Sequence, residues 1–363
     1  MKRSGCKSVI SLLFIQLILI LPVSVYAADV DKTINREFDA SKIDLLKIDN
    51  RYGDVEIVSS GNNKINIIVD VQLSHPSDSR AEKLLSMINV LFSENDNTIE
   101  ARTDIDRQFK LNGTGPNRSF SIDYRVEMPE DMDLDISNRY GNINTDELSG
   151  HVDIRIKYGS LFIKELSRGN KEPLNSVTAE YLRVGNIDNA GWLELNMMHV
   201  AKFNISSAQA LLVNSRYSIN NTIDMVSSVV IDSQYDKFEI GNANNIVAES
   251  AYTSYKVEQL SNKLNIKTKY GSVDLDYVKP GFEQIKFDIQ YTPLSIEIDE
   301  SASYALTADT KYTGLSLNLD RAEIRQRIED NSSKYIEAVF GDADTKSEII
   351  IDAKHGSVKI KER

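Results

Sequence analysis

Seven basic residues stand directly before a tyrosine or histidine that belongs to a recurring sequence pattern: Arg51, Arg139, Lys157, Arg216, Lys269, Lys311 and Lys354. Cationic side chains beside aromatic rings are suited to binding anions, because guanidinium and ammonium groups hydrogen-bond to carboxylates and phosphates. If the strands that carry them stack in register, these side chains form a basic stripe. The predicted binding stripe consists of Arg139, Lys157, Arg216, Lys269 and Lys311 with Tyr140, Tyr158, Tyr217 and Tyr270. Its expected partner is an anionic glycan or another component of the cell envelope.

A purely structural alternative exists for these basic residues. Like charges on neighbouring strands repel each other, so the fold must disperse them, neutralise them or use them. Pairing with nearby acids such as Glu180 or Asp236, or simple solvation, would account for them without any ligand.

The residues that usually form metal sites are scarce. The chain has four histidines, at 75, 151, 199 and 355, and none is spaced for zinc binding. It contains no HExxH, GxSxG, P-loop or CxxC motif, and no calcium-binding glycine-aspartate nonapeptide. We therefore expect neither a metal nor a cofactor.

Carboxylates are abundant but alternate with apolar residues. Asp232 and Asp236 flank Tyr235, and Asp274 and Asp276 flank Leu275, which is the pattern of the solvent side of a strand. Polysaccharide lyases and hydrolases need carboxylates gathered in a groove. We expect no enzymatic activity, and a polysaccharide-active enzyme is kept as the alternative.

The seven basic residues all lie within a twelve-position sequence pattern that recurs eleven times. Apolar residues alternate on both sides of an anchor, and the position four before the anchor is apolar in every copy. Many neighbouring anchors are 17 or 18 residues apart. The anchors are Tyr52, Tyr140, Tyr158, Tyr181, Tyr217, Tyr235, Tyr252, Tyr270, Tyr291, Tyr312 and His355.

Alternation of this kind predicts two short strands that meet at a corner in each copy. A short fixed period predicts an all-β fold of stacked coils, a parallel β-helix or β-solenoid, with about 18 residues per coil. Asn, Ser or Thr two positions before most anchors should satisfy backbone groups at the corner. Glycine follows five anchors, at 53, 141, 159, 271 and 356, where we expect a positive φ. The anchor rings should stack in a column.

The first 27 residues resemble a secretory signal peptide, with Lys2, Arg3 and Lys7 before an apolar run and a small-residue cleavage site at Ala27. An uncleaved membrane anchor is the alternative. Cleavage would remove the only cysteine, Cys6, and change the formal charge from −12 to −15, since three basic and no acidic residues are lost. So acidic a chain is not expected to bind nucleic acid.

Residues 28–130 are predicted to hold the N-terminal strands, the first coil and a helix-bearing insert that covers one end. The insert should contain strands near residues 65–73 and 120–128. One amphipathic helix should bury Ala81, Leu84, Leu85, Ile88, Leu91 and Phe92, with a capping box formed by Ser79 and Glu82.

The solenoid itself is predicted over residues 131–318. Residues 319–363 should form a C-terminal linker, with a helical stretch at 321–330, and one last coil at 349–360. The whole mature chain is expected to be one elongated domain.

The segments N-R-Y-G-D-V-E-I, K-Y-G-S-L-F-I, K-Y-G-S-V-D-L and H-G-S-V-K-I resemble those of a bacterial family known as putative adhesins. The helix segment R-A-E-K-L-L-S-M-I resembles it as well, and the resemblance covers residues 34–360. It implies a single-stranded, right-handed β-solenoid located outside the cytoplasm of a Gram-negative bacterium, in the periplasm or at the cell surface.

Three hypotheses for function follow. The first is a non-enzymatic binding or scaffold protein of the envelope, in the manner of an adhesin. The second is a carbohydrate-active β-helix enzyme, and the third is a periplasmic sensing or structural partner without an external ligand. Release of unsaturated sugar ends by the purified protein would favour the second.

Overall fold

The computed structural model describes residues 28–111 and 118–363 as an all-β chain with one α-helix. The predicted signal peptide, residues 1–27, lies outside the described residues. The N-terminal part contains a 3-10 turn at Ala40–Lys42, helix α1 (Asp78–Leu85) and strands β1 (Ala28–Asp39), β2 (Leu45–Arg51), β3 (Val55–Ser60), β4 (Lys64–His75), β5 (Ile88–Asn95), β6 (Thr98–Ile105) and β7 (Ser119–Pro129).

The central part is built from strands alone. They are β8 (Asp133–Arg139), β9 (Ile143–Leu148), β10 (Val152–Lys157), β11 (Ser160–Leu166), β12 (Asn175–Glu180), β13 (Val184–Met198), β14 (Phe203–Arg216), β15 (Asn221–Gln234), β16 (Lys237–Ala251), β17 (Ser254–Lys269), β18 (Ser272–Val278), β19 (Gln284–Gln290) and β20 (Pro293–Ile298).

Six strands complete the chain: β21 (Tyr304–Lys311), β22 (Gly314–Leu317), β23 (Ala322–Glu329), β24 (Ser333–Phe340), β25 (Glu348–Lys354) and β26 (Ser357–Glu362). Together the described strands form one 26-stranded sheet, which is mixed because parallel and antiparallel pairs both occur.

Parallel pairing links neighbouring copies of the sequence pattern. Ile154 of β10 lies opposite Ile136 of β8 on one side and Val177 of β12 on the other. These three side chains occupy the position four before the anchor, and all are fully buried. The apolar alternation therefore builds rows of core side chains, and a single hydrophobic cluster extends from Ala40 to Ile360.

The anchors make the corner between the two strands of each copy. All eleven predicted anchors, together with His199, have a positive φ between 52° and 67°. The positive φ therefore falls on the anchor itself and not on the glycine that follows it, so our expectation for those glycines was wrong. Glycine is needed there for space, because a Cβ on Gly141 would lie 1.8 Å from the carbonyl oxygen of Gly53.

Polar side chains before the corner do satisfy backbone groups at the Asn positions. The Asn138 Nδ2 donates to the carbonyl oxygens of Gly53 at 3.0 Å and Asn142 at 3.1 Å. In the middle of the chain, Ser233 Oγ instead bonds to other side chains, with Thr253 Oγ1 at 3.1 Å. These contacts tie each corner to the next copy.

The N-terminal insert adds a layer next to the first copy. Strand β2 pairs in parallel with β6 and β8, and β3 pairs in parallel with β7 and β9. Strands β1, β4 and β7 pair antiparallel, as do β5 and β6. The strands predicted near 65–73 and 120–128 are confirmed as β4 and β7.

The helix is shorter than predicted. It ends at Leu85, and Ala81 and Leu84 form its buried face. Ile88, Leu91 and Phe92 lie instead in β5, whose amides pair with β6, so hairpin pairing overrides the helical spacing at this point. The capping residue is Ser77, which makes no side-chain cap bond, so the predicted box of Ser79 and Glu82 was also wrong.

The C-terminal part differs from prediction in two ways. The stretch predicted as helical, 321–330, is strand β23, paired antiparallel with β24. The last predicted coil forms as β25 and β26, but it does not lie at the end of the sheet. Strand β25 lies between β19 and β21, and β26 lies between β20 and β22.

Candidate functional site

The rings of the twelve anchors form one continuous column, which we call the ring column. Neighbouring ring centroids are 4.7–5.2 Å apart, and each pair of rings is within 20° of parallel. In spatial order the column runs Tyr52, Tyr140, Tyr158, Tyr181, His199, Tyr217, Tyr235, Tyr252, Tyr270, Tyr291, His355 and Tyr312.

His199 is the member that sequence analysis did not place in the column. Its ring stacks between Tyr181 and Tyr217, at 4.9 and 5.0 Å. The signal was present in the spacing, since residue 199 is 18 residues from both neighbours. Met197 and Met198 stand directly before His199, where most copies of the pattern have polar or basic residues, so this copy was not recognised.

The ring column is exposed at its edge. Its tyrosines are between 38% and 59% exposed, although both faces of most rings are covered by their neighbours. Within the described residues, none of the ten phenol hydroxyls in the column hydrogen-bonds to another side chain or to the backbone. The column therefore presents ten unbonded hydroxyl groups to solvent, on rings stacked about 5 Å apart, in a row that is interrupted at His199 and His355.

The basic residues do not form the continuous stripe that equal spacing suggested. The strand registers place Arg51, Arg139 and Lys157 side by side, next to Glu180 and then Met198. Arg216 lies between Met198 and Gln234, and Lys269 lies between Ala251 and Gln290. Lys354 and Lys311 are neighbours at the far end. The structure thus divides the predicted stripe into two groups and two single side chains.

Ion pairing neutralises some of these charges. Lys157 Nζ lies 2.7 Å from Glu180, as the pairing alternative predicted, and Arg216 lies 3.0 Å from Asp232 rather than pairing with Asp236. Lys354 lies 3.3 Å from Asp352. Within the described ranges, Arg51, Arg139, Lys269 and Lys311 make no ion pair.

A shallow depression of about 530 Å³ opens beside the ring column where β8, β10 and β12 meet. Arg139, Arg155 and Lys157 border it, with the hydroxyl-bearing side chains Ser137 and Thr178 between them. Arg155 was not predicted as a site residue. It contacts both Asp135 and Asp153, so its charge is balanced within the protein.

The carboxylates considered for catalysis are not gathered in a groove. Asp276 pairs with Lys256 at 3.4 Å, Asp232 pairs with Arg216, and Asp274 is exposed on the outer face of β18. Among residues 28–111 and 118–363, no group of three or more His, Cys, Asp or Glu side chains could hold a metal ion. The one α-helix in these ranges is too short to cross a membrane.

Within the part of the chain that the structure describes, Asp236 is the one buried carboxylate next to the ring column. It is 5% exposed, and its Oδ1 accepts a hydrogen bond from the Ser218 amide at 2.6 Å. Its Oδ2 and the nearby Ser215 Oγ are buried without a hydrogen-bond partner. Burial raises the pKa of Asp236 to about 6, although the Ser218 amide opposes this shift.

Comparison with known proteins returned solved structures of low identity. No protein-family model matches the chain, and no curated protein matches it. A putative adhesin from Parabacteroides merdae is 11% identical, with 72% of this chain and 92% of that chain covered and a TM-score of 0.34. A putative cell adhesion protein from Clostridium sporogenes is 10% identical, covering 92% and 100%, with a TM-score of 0.21. A putative lipid binding protein from Parabacteroides distasonis is 11% identical, covering 91% and 96%, with a TM-score of 0.26.

Proposed function

We propose that this protein is a non-enzymatic, adhesin-like binding protein of the cell envelope, and that it binds extended glycan chains along the ring column. The observation that carries the proposal is the row of exposed, unbonded hydroxyls at regular spacing. A polymer with a short repeat can meet such a row at several successive units, and many weak contacts then add up to useful affinity.

The chemistry of the column favours hydrogen bonding over face stacking. Inside the column, both faces of each ring are in contact with neighbouring rings, so a sugar cannot lie flat on them. The hydroxyl of tyrosine both donates and accepts hydrogen bonds, which suits it to sugar hydroxyls. Basic side chains beside the column add attraction for glycans that carry negative charge.

The fold that we propose for the native protein is a single-stranded, right-handed parallel β-helix with an antiparallel cap at each end. In-register parallel pairs through the central strands support the helix, and the antiparallel pairs of β1, β4 and β7 and of β23 and β24 support the caps. Caps of this kind would protect the open sheet edges from pairing with other chains.

Glycan binding can be tested by removing hydroxyls from the centre of the column. The triple variant Tyr217→Phe, Tyr235→Phe, Tyr252→Phe keeps the stacked rings and should weaken binding to envelope polysaccharides measured by calorimetry. The matched control is Tyr277→Phe with Tyr335→Phe, which removes hydroxyls outside the column that already bond to Asp299 and Glu337. Equal affinity of both variants and the native protein would contradict the proposal.

The envelope location is a separate part of the proposal and needs its own test. Protease treatment of intact cells that express the full chain should degrade the protein if it is displayed on the surface, while a periplasmic control remains intact. Protection until the outer membrane is permeabilised would favour a periplasmic scaffold or sensing role instead. Recovery of the chain with the cytoplasmic fraction would contradict an extracytoplasmic location.

A further inference from the structure

The unneutralised basic side chains are not distributed evenly beside the ring column. Of the seven basic residues that precede an anchor, four make no ion pair within the described residues: Arg51, Arg139, Lys269 and Lys311. Lys269 has uncharged neighbours, Ala251 and Gln290. Arg51 and Arg139 are instead direct neighbours on the parallel strands β2 and β8.

This arrangement is unfavourable in the absence of a ligand. Parallel neighbours lie about 4.8 Å apart, so two guanidinium groups on the same face repel each other. Lys157 follows Arg139 on the next strand, but its charge is balanced by Glu180 at 2.7 Å, so the unbalanced pair consists of Arg51 and Arg139. Asp104 and Asp106 line the same depression as Arg51, but neither makes an ion pair with it within the described residues.

Other groups near Arg139 are suited to hold an anionic sugar unit. The depression beside it contains Ser137 and Thr178, whose hydroxyls can bond to sugar hydroxyls or to anion oxygens. Glu180 also borders the depression, and its negative charge is balanced by Lys157. The ring edges of Tyr140 and Tyr158 border the same depression. Two guanidinium groups can each donate paired hydrogen bonds to a carboxylate or a phosphate.

We infer that the neighbouring side chains of Arg51 and Arg139, together with the depression that borders Arg139 where β8, β10 and β12 meet, form an anion-binding subsite for a carboxylate- or phosphate-bearing sugar unit. This inference rests on the proposed glycan-binding function and specifies where the charged unit sits. The subsite lies near the N-terminal end of the ring column, so a bound chain has a fixed register on the protein. The remaining basic side chains beside the column are neutralised or isolated.

The experiment measures binding of the native protein to oligogalacturonate, to its neutral methyl ester, and to a phosphate-bearing mannose oligosaccharide. The variant Arg51→Gln with Arg139→Gln should weaken binding of the charged oligomers about tenfold or more, because hydrogen bonds to charged groups are strong. The matched control Lys286→Gln with Lys359→Gln removes two exposed charges on β19 and β26, outside the ring column, that make no ion pair within the described residues, and it should leave affinity within about twofold.

Each outcome has a distinct meaning. Equal weakening by the arginine double variant and by the Lys286→Gln, Lys359→Gln control would show diffuse attraction to the protein's positive charges and overturn the subsite. Equal affinity of the native protein for the charged oligomer and its methyl ester would overturn the subsite and leave glycan binding in place. If the native protein binds none of the three glycans and no envelope polysaccharide, the proposed function itself is overturned.

A second measurement does not depend on the choice of glycan. Without an anion, the double variant should have a higher thermal midpoint than the native protein at low salt, because it relieves repulsion. Added sodium chloride should reduce this difference, since screening weakens the repulsion. A double variant that is less stable than the native protein at low salt would indicate that the arginines have a structural role and contradict the inference.

Discussion

The ring of His355 stacks on the ring of Tyr291 with centroids 4.7 Å apart and planes within 4° of parallel. The chain passes through a different anchor, Tyr312, before it reaches His355, and Tyr312 stacks on the opposite face of the same ring at 5.1 Å. The last strands of the chain therefore lie inside the sheet, and their side chains belong to the core.

Substitutions near the C-terminus should for this reason behave like core substitutions. Ile351 of β25 is 1% exposed, and we expect Ile351→Ala to lower the free energy of unfolding by about 3 kcal/mol through lost burial and a residual cavity. Urea denaturation followed by circular dichroism would measure this. Ile328→Ala on β23, where the side chain is 55% exposed, is the control and should change stability little. Similar small effects of both variants would contradict the interior position of β25.

The glycines after the anchors should tolerate no side chain. We expect Gly141→Ala to destabilise the protein by about 3 kcal/mol, since the added Cβ would collide with the Gly53 carbonyl and force the strands apart. Gly169→Ala is the matched control, because nothing lies within 4 Å of a Cβ there. The midpoints of urea unfolding should separate the two variants, and coincident midpoints would contradict the steric argument.

The left-handed backbone at the anchors should select among replacements. Tyr235 has a φ of 59°, a conformation that β-branched residues adopt only with strain. We expect Tyr235→His to be nearly neutral, since histidine occupies two other positions in the column, and Tyr235→Val to cost about 2 kcal/mol. Thermal unfolding of both, beside Tyr335→Val in strand β24, would test this. A Val variant as stable as the His variant would show that φ does not select the residue.

Asp236 should make stability depend on pH. Its pKa in the folded protein is raised to about 6 from an ordinary value of 3.8. Between pH 4 and pH 6 the carboxyl group is therefore protonated in the folded state and ionised in the unfolded state. Folding is therefore favoured as the pH falls from 6 towards 4, and the carboxylate destabilises the fold above pH 6. We expect Asp236→Asn to raise the free energy of unfolding at pH 7 by about 1–2 kcal/mol.

The same variant should also flatten the pH profile of stability between pH 4 and 6. Urea unfolding at several pH values measures this, with Asp274→Asn on the outer face of β18 as the control. An unchanged profile in Asp236→Asn would mean that the carboxyl group titrates normally in the folded protein.

The central part of the fold could be predicted because its sequence and its pairing have the same period. At Ile136, Ile154 and Val177, the apolar position four before the anchor falls in register on three successive strands. The ring column followed from the same regularity. Its continuity through His199 was missed because the flanking residues Met197 and Met198 depart from the polar pattern at the corner.

The ends of the fold could not be predicted from local pattern. Ile88, Leu91 and Phe92 have helical spacing, but the hairpin of β5 with β6 satisfies their backbone amides across strands. The charged segment of β23 resembles an exposed helix, and only its antiparallel partner β24 makes it a strand. Strand register and side-chain reach decide which basic residues have an acidic partner. Lys157 lies beside Glu180 and pairs with it, whereas Arg139 lies between Arg51 and Lys157 and makes no ion pair within the described residues.

The position of β25 and β26 also determines when the protein can finish folding. Synthesis from the N-terminus delivers β19 to β22 before the two strands that belong between them. Until the final residues arrive, β19 and β21 present facing strand edges that are free to pair wrongly with each other or with a neighbouring molecule. A product that lacks residues 348–362 would keep those edges open, so β25 and β26 act as a closing strand pair that protects the molecule against aggregation.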